Sequence, residues 1–109
     1  MIESLVDTRL SSSLTTIYTA PRNRRVEVRL ISLTNVSGSA VTVNLWLHRV
    51  GKDSRYLTPK DLQLAAGEMA RDSGAICLSA GDRLTAQASG AVDAVVSGLV
   101  ENTSGLPGK

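Results

Sequence analysis

The sequence predicts an all-β fold, a sandwich or barrel of about eight short strands. Apolar residues recur at every second position in several short runs, the period of a half-buried strand. Gly, Pro, Asn and Asp separate those runs at the spacing usual for all-β domains. No segment carries a 3.6-residue apolar stripe over three turns. With 109 residues the chain is one domain, long enough to bury a core without disulfide or metal.

Residues 1–13 are polar and end in a serine run, which reads as an irregular N-terminal arm. They are partly acidic and lack an apolar stretch, so they do not read as a secretory signal. Residues 14–101 carry the strand grammar, and residues 102–109, with Gly and Pro and no periodicity, read as a tail. Leu14 to Thr19 form a first strand, and Pro21 in the turn that follows cannot continue a central ladder. Val26, Val28 and Leu30 share one face, with Glu27 and Arg29 on the other. Ile31 and Leu33 then fall out of phase, so either a bulge near Leu30 and Ile31 returns them to the core or both faces are covered there.

Asn35 to Ser39 form a turn. Val41, Val43, Leu45 and Leu47 then alternate with Thr42, Asn44, Trp46 and His48 in the cleanest strand of the chain. Residues 51–60 read as a polar loop, with room for one helical turn where Pro59 follows Thr58. Leu62 and Leu64 mark a short strand, Met69 to Asp72 another, and Ile76 with Leu78 a third. Leu84, Ala86 and Ala88 alternate before a turn at Ser89 and Gly90, and Val92, Ala94 and Val96 open a strand that runs on toward Val100. The expected core takes the inward residues of all these runs, Ile17, Leu30 and Ile76 included.

Composition removes several classes of function. The net charge of +2 is too small for a nucleic-acid footprint, and the apolar runs are far short of the roughly 20 residues of a membrane span. One Cys excludes an intrachain disulfide, and one His leaves little for zinc or His-dependent catalysis. The expectation is a protein that is not an enzyme and has no cofactor and no metal. Cys77, between Ile76 and Leu78, reads as a buried structural thiol. Asp53, Asp61, Asp72 and Asp82 fit no calcium loop, and Asp82 after Gly81 reads as a turn residue bonding nearby backbone.

Charge is unevenly spread. Residues 1–60 hold nine Lys and Arg against four Asp and Glu, a balance of +5, and residues 61–109 hold three against six, a balance of −3. One reading is solvated loops; the other is a basic and an acidic flank that meet neighbours in an array. Candidate contact residues follow. Arg22, Arg24 and Arg25 form the only dense basic cluster, suited to an acidic neighbour or to a solvated turn. Trp46 and His48 share one strand face, either a half-exposed face with an aromatic anchor or a contact patch. Arg55 and Tyr56 lie in the polar loop and join this set, and the arm at residues 1–13 is a further candidate.

In order, several segments resemble small virion proteins of tailed bacteriophages. They are Ile17-Tyr18-Thr19-Ala20-Pro21, then Asn35-Val36-Ser37-Gly38-Ser39 leading to Thr42-Val43, then Leu64-Ala65-Ala66-Gly67-Glu68. Leu78-Ser79-Ala80-Gly81-Asp82 through Ser89 and the closing Ala91 to Gly98 complete the pattern, which covers roughly residues 14–101. The resemblance implies a two-sheet antiparallel β-sandwich, jelly-roll-like or alternatively Ig-like. It implies a structural part of a virion assembled in the bacterial host cytoplasm, first of all a capsid decoration or cement protein. Its partner would be the major capsid protein or another virion protein, and the chain would form a homo-oligomer within the particle. The alternatives are a neck, tail or fibre-attachment component and, from another class, a carbohydrate- or receptor-binding module.

Overall fold

Strand β4 (Val41–His48) shows why the chain folds as it does. Its eight residues alternate without a break between buried Val41, Val43, Leu45 and Leu47 and half-buried Thr42, Asn44, Trp46 and His48. A strand with one apolar face needs a second sheet to cover it. In the computed structural model, which describes residues 2–102, nine further strands complete β4's own sheet and build the one that covers it. They are β1 (Glu3–Leu10), β2 (Thr15–Thr19), β3 (Arg24–Asn35), β5 (Arg55–Tyr56), β6 (Leu62–Leu64), β7 (Met69–Asp72), β8 (Ile76–Leu78), β9 (Arg83–Ala88) and β10 (Val92–Asn102). There is no helix among the described residues, so the single helical turn near Thr58 does not form.

The first sheet runs β1-β10-β3-β7, with β8 also on β3; the second runs β2-β9-β4-β5, with β6 also on β4. All pairings are antiparallel, and those of β1 with β10, β2 with β9, β3 with β7 and β8, and β4 with β5 and β6 are nested; β10 with β3 and β9 with β4 then join the pairs into sheets. The chain is therefore one long hairpin rolled up so that successive strand pairs fall in alternate sheets. Taking β5 and β6 as one interrupted edge, and β7 and β8 as another, leaves two four-stranded sheets. This is the jelly roll rather than the Ig-like alternative. Between the sheets lie fully buried Val26, Val28, Val43, Leu45, Leu78, Leu84, Val92 and Val96.

The structure overturns the irregular arm. Residues 3–10 are an integral strand, with Val6 and Leu10 buried to 5% and 6% exposure. An edge strand buries one face only, and between its two apolar anchors β1 carries Asp7, Thr8 and Arg9, so its composition reads as polar. Asn102 still belongs to β10, and the rest of the expected tail lies outside the described residues. The polar loop at 51–60 also differs, because Arg55 and Tyr56 pair with Leu47 and Trp46.

The phase shift in β3 is a bulge one residue earlier than expected. The register passes from Ser97↔Leu30 to Gly98↔Val28, leaving Arg29 without a partner. Ile31 and Leu33 thus return to the core, while Leu30 turns to the outer face and stays half-buried. Two more bulges leave Leu5 of β1 and Ile17 of β2 as the extra residues. Ile17 and Ile76 are only partly buried, at the border of the core.

Candidate interaction surface

Two turns at opposite ends of the sandwich are fixed by buried polar side chains. At one end Asn35, fully buried, donates through Nδ2 to the carbonyls of Ser39, Leu64 and Ala65 at 2.8, 3.0 and 3.0 Å. Its Oδ1 accepts from the Ser37 N–H at 2.9 Å and the Ser37 hydroxyl at 2.7 Å. The β3–β4 turn and the loop after β6 are thereby tied together.

At the other end Asp82, 4% exposed, accepts from the N–H groups of Val50 and Ser79, both at 2.9 Å, and from Arg49 Nη1 at 3.2 Å. The bond to Ser79 is the local turn bond that the sequence suggests; the link to Arg49 and Val50 is not legible there. Arg49 also donates to the Cys77 carbonyl at 2.8 Å. Burial by itself raises the Asp82 carboxyl, but the bonds from Ser79 and Val50 and the charge of Arg49 outweigh it and hold the group below the usual carboxylate value.

Such a lowered value stabilises the fold above the unfolded-state pKa near 3.9, and the contribution is lost as pH falls through the lower folded value. Asp82→Asn cannot titrate and loses the ionic bond to Arg49. It is expected to cost about 2–3 kcal/mol at pH 7, with the gap to the native protein closing in acid. Thermal melts of both proteins from pH 7 to pH 2 check this, and a gap that stays constant over that range would contradict it.

The residues singled out for contact separate into two places. Trp46 and Tyr56 pair across β4 and β5 on the outer face of the second sheet, their ring centroids 5.4 Å apart at 44°. His48 follows on the same face and bonds Thr85 Oγ1 through Nε2 at 3.0 Å, with Thr85 itself buried. Arg55 is exposed beside Tyr56 on the edge. Arg22, Arg24 and Arg25 stand apart, in the β2–β3 turn and the start of β3. That turn is pinned to the Asp82 turn by bonds from Ala20 N–H to the Asp82 carbonyl and from Gly81 N–H to the Ala20 carbonyl. No ion pair or hydrogen bond joins the arginines to the aromatic group among the described residues.

Three features escape the sequence reading. Cys77 is exposed rather than buried, because in a three-residue edge strand Ile76 and Leu78 take the inward positions and Cys77 faces out opposite Glu27. The outer face of the first sheet carries Leu30, Val95 and Leu99 grouped around Ser97, with Val95 38% exposed. Ion pairs flank this group: Arg9 Nε to Asp93 Oδ1 at 2.7 Å, and Arg29 to Glu27. Finally, a cleft of about 250 Å³ opens between the two interrupted edges, lined by Ile31, Leu33, Leu45, Leu57 and Leu62 among others. Among the described residues no three His, Cys, Asp or Glu side chains gather as a metal site.

Topology and surfaces together define an eight-stranded jelly roll with both sheet exteriors accessible. No protein-family model matches the chain, and no curated protein matches it. Among solved structures the chain is similar to one from the structure of infectious bursal disease virus, Gx strain, with a TM-score of 0.66 and 14% identity. The match covers 99% of this chain and 34% of the viral one, so the chain spans about a third of that protein's length. At that identity the likeness concerns the fold.

Proposed function

We propose that the protein is a non-enzymatic structural component of a virus particle, and within that class a capsid decoration or cement protein. The observation that carries this reading is the jelly-roll topology itself, shared along nearly its whole length with a chain of a virus structure. Jelly rolls recur in viral capsids, where they act by surface contact. The outward groups suit that mode of action: the Leu30, Val95 and Leu99 cluster on one sheet, Trp46 and Tyr56 on the other, and arginines at one end. The proposed partner is the major capsid protein. A cement protein stabilises a shell by mass action, because it binds the assembled lattice and not its free subunits.

Copy number tests this. The chain is expected in purified particles at a ratio to the major capsid protein near one, with cryo-EM density across subunit seams. Copies in small multiples of three, six or twelve at one vertex would replace cementing with a neck, tail or fibre-attachment role. Absence from any particle would overturn the virion reading, and glycan binding at the Trp46 and Tyr56 face would be measured next.

A further inference from the structure

The four sheet edges are not alike. On one side of the sandwich both edges are broken: β5 and β6 hold two and three residues, β7 and β8 four and three. On the other side β2 is five residues long and bulged at Ile17. Short, bulged or interrupted edges resist pairing with other chains. β1 is the exception. Past its bulge, Val6 to Leu10 lie in unbroken register with Val96 to Val92, and among the described residues no strand pairs with their other edge. The segment holds neither Pro nor Gly.

We propose that β1 is an association edge and that its partner is a second copy of this chain, paired antiparallel about a two-fold axis through Thr8. In that register Asp7 stands opposite the copy's Arg9, and Arg9 opposite the copy's Asp7. Val6 stands opposite Leu10 in both directions, and Thr8 opposite itself. Charge selects this register. An axis through Asp7 sets two carboxylates against each other, and one through Arg9 sets two guanidinium groups together, both unfavourable in directly opposed pairs. A slip of one residue between the copies turns one sheet's inner face outward.

Asp7 and Arg9 both lie on the outer face of the sheet, opposite Val95 and Asp93 of β10. The Arg9 that meets the copy's Asp7 already holds Asp93, so each side of the axis gains a row of three alternating charges. Charges on an edge strand ordinarily deter pairing; here their order disfavours the registers about Asp7 and Arg9 and favours the self-complementary one between them. The two first sheets become one continuous sheet. With five residues paired on each side, the contact belongs to the small, low-affinity class, favoured where copies are held close together.

This goes beyond the virion reading and does not rest on it, because the isolated protein reports on it. Sedimentation velocity over a concentration series is expected to show a monomer–dimer equilibrium for the native chain. Asp7→Lys alone and Arg9→Glu alone are each expected to weaken it at least about tenfold, through two like-charge oppositions per dimer. An equimolar mixture of the two variants restores complementary pairs and is expected to return association to near the native level. A native chain that stays monomeric near millimolar concentration would overturn the proposal, as would a mixture no tighter than its components. Thr8→Cys in a Cys77→Ser background supplies a second reading. It is expected to form a disulfide-linked dimer on mild oxidation, since only residue 8 meets itself, and a persistently monomeric product would count against the axis.

Discussion

Gly98→Ala is expected to be severely destabilising. Gly98 lies in β10 at the β3 bulge, where the backbone of Glu27 comes close and the Leu5 side chain of β1 stands nearby. A Cβ there would overlap the Glu27 carbonyl oxygen and stand 3.0 Å from its carbon. Those are backbone atoms of the adjacent strand and cannot rotate away. Relief requires β3 and β10 to part, which breaks the ladder at the centre of the first sheet. The expected cost is about 4 kcal/mol or more, a large share of the roughly 5–15 kcal/mol that holds a domain of this size folded. Two controls define the mechanism. Gly90→Ala meets the Val41 Cγ1 methyl at 2.6 Å, a side chain that can adjust, and is expected to cost about 1–2 kcal/mol. Gly38→Ala meets nothing within 4 Å and is expected to be near neutral. Urea titration of the three variants checks the order, and a Gly98 variant as stable as the Gly38 one would refute the close-approach argument.

Asn35→Ala is expected to cost about 3–4 kcal/mol, far above an ordinary surface change. It removes five hydrogen bonds in one step and leaves partly or fully buried carbonyls of Ser39, Leu64 and Ala65 without that donor. Asn35→Asp keeps the shape but sets a second carboxylate oxygen against those three carbonyls. It is expected to be as damaging at pH 7. Relative to the alanine variant it should regain stability as pH falls, because a protonated carboxyl can donate again. Chemical denaturation at pH 7 and pH 5 measures both effects, and a pH-independent difference between the two variants would be the wrong result.

Strand β4 was the most legible part of the chain. β4 shows clean alternation because one of its faces meets the core and the other meets water along its full length. Strands that buck this pattern were harder to read. β1 has two buried anchors in eight residues, so nothing in its composition distinguishes an edge strand from a polar arm. The β3 bulge was legible as a phase shift, but its position depends on Gly98 in a strand some seventy residues away, a pairing no local window contains. The same limit applies to surfaces. Trp46, His48 and Tyr56 fall together because β4 and β5 pair, whereas Arg22, Arg24 and Arg25 stand elsewhere although the sequence offers all six as one kind of residue. Asn35 read as a turn residue because a side chain's distant partners, here Leu64 and Ala65, leave no trace in spacing.

β10 has a consequence for how the protein comes into being. It is the last strand described, yet it sits between β1 and β3 and completes the ladders of both. A ribosome releases β1 first and β10 after more than eighty further residues, on the order of ten seconds at ordinary elongation rates. Throughout that interval the first sheet lacks its central member, and the facing edges of β1 and β3 are open to other chains. Folding is therefore expected to be close to all-or-none and to follow synthesis rather than accompany it, with nascent chains dependent on holding factors until Val92 and the residues after it emerge.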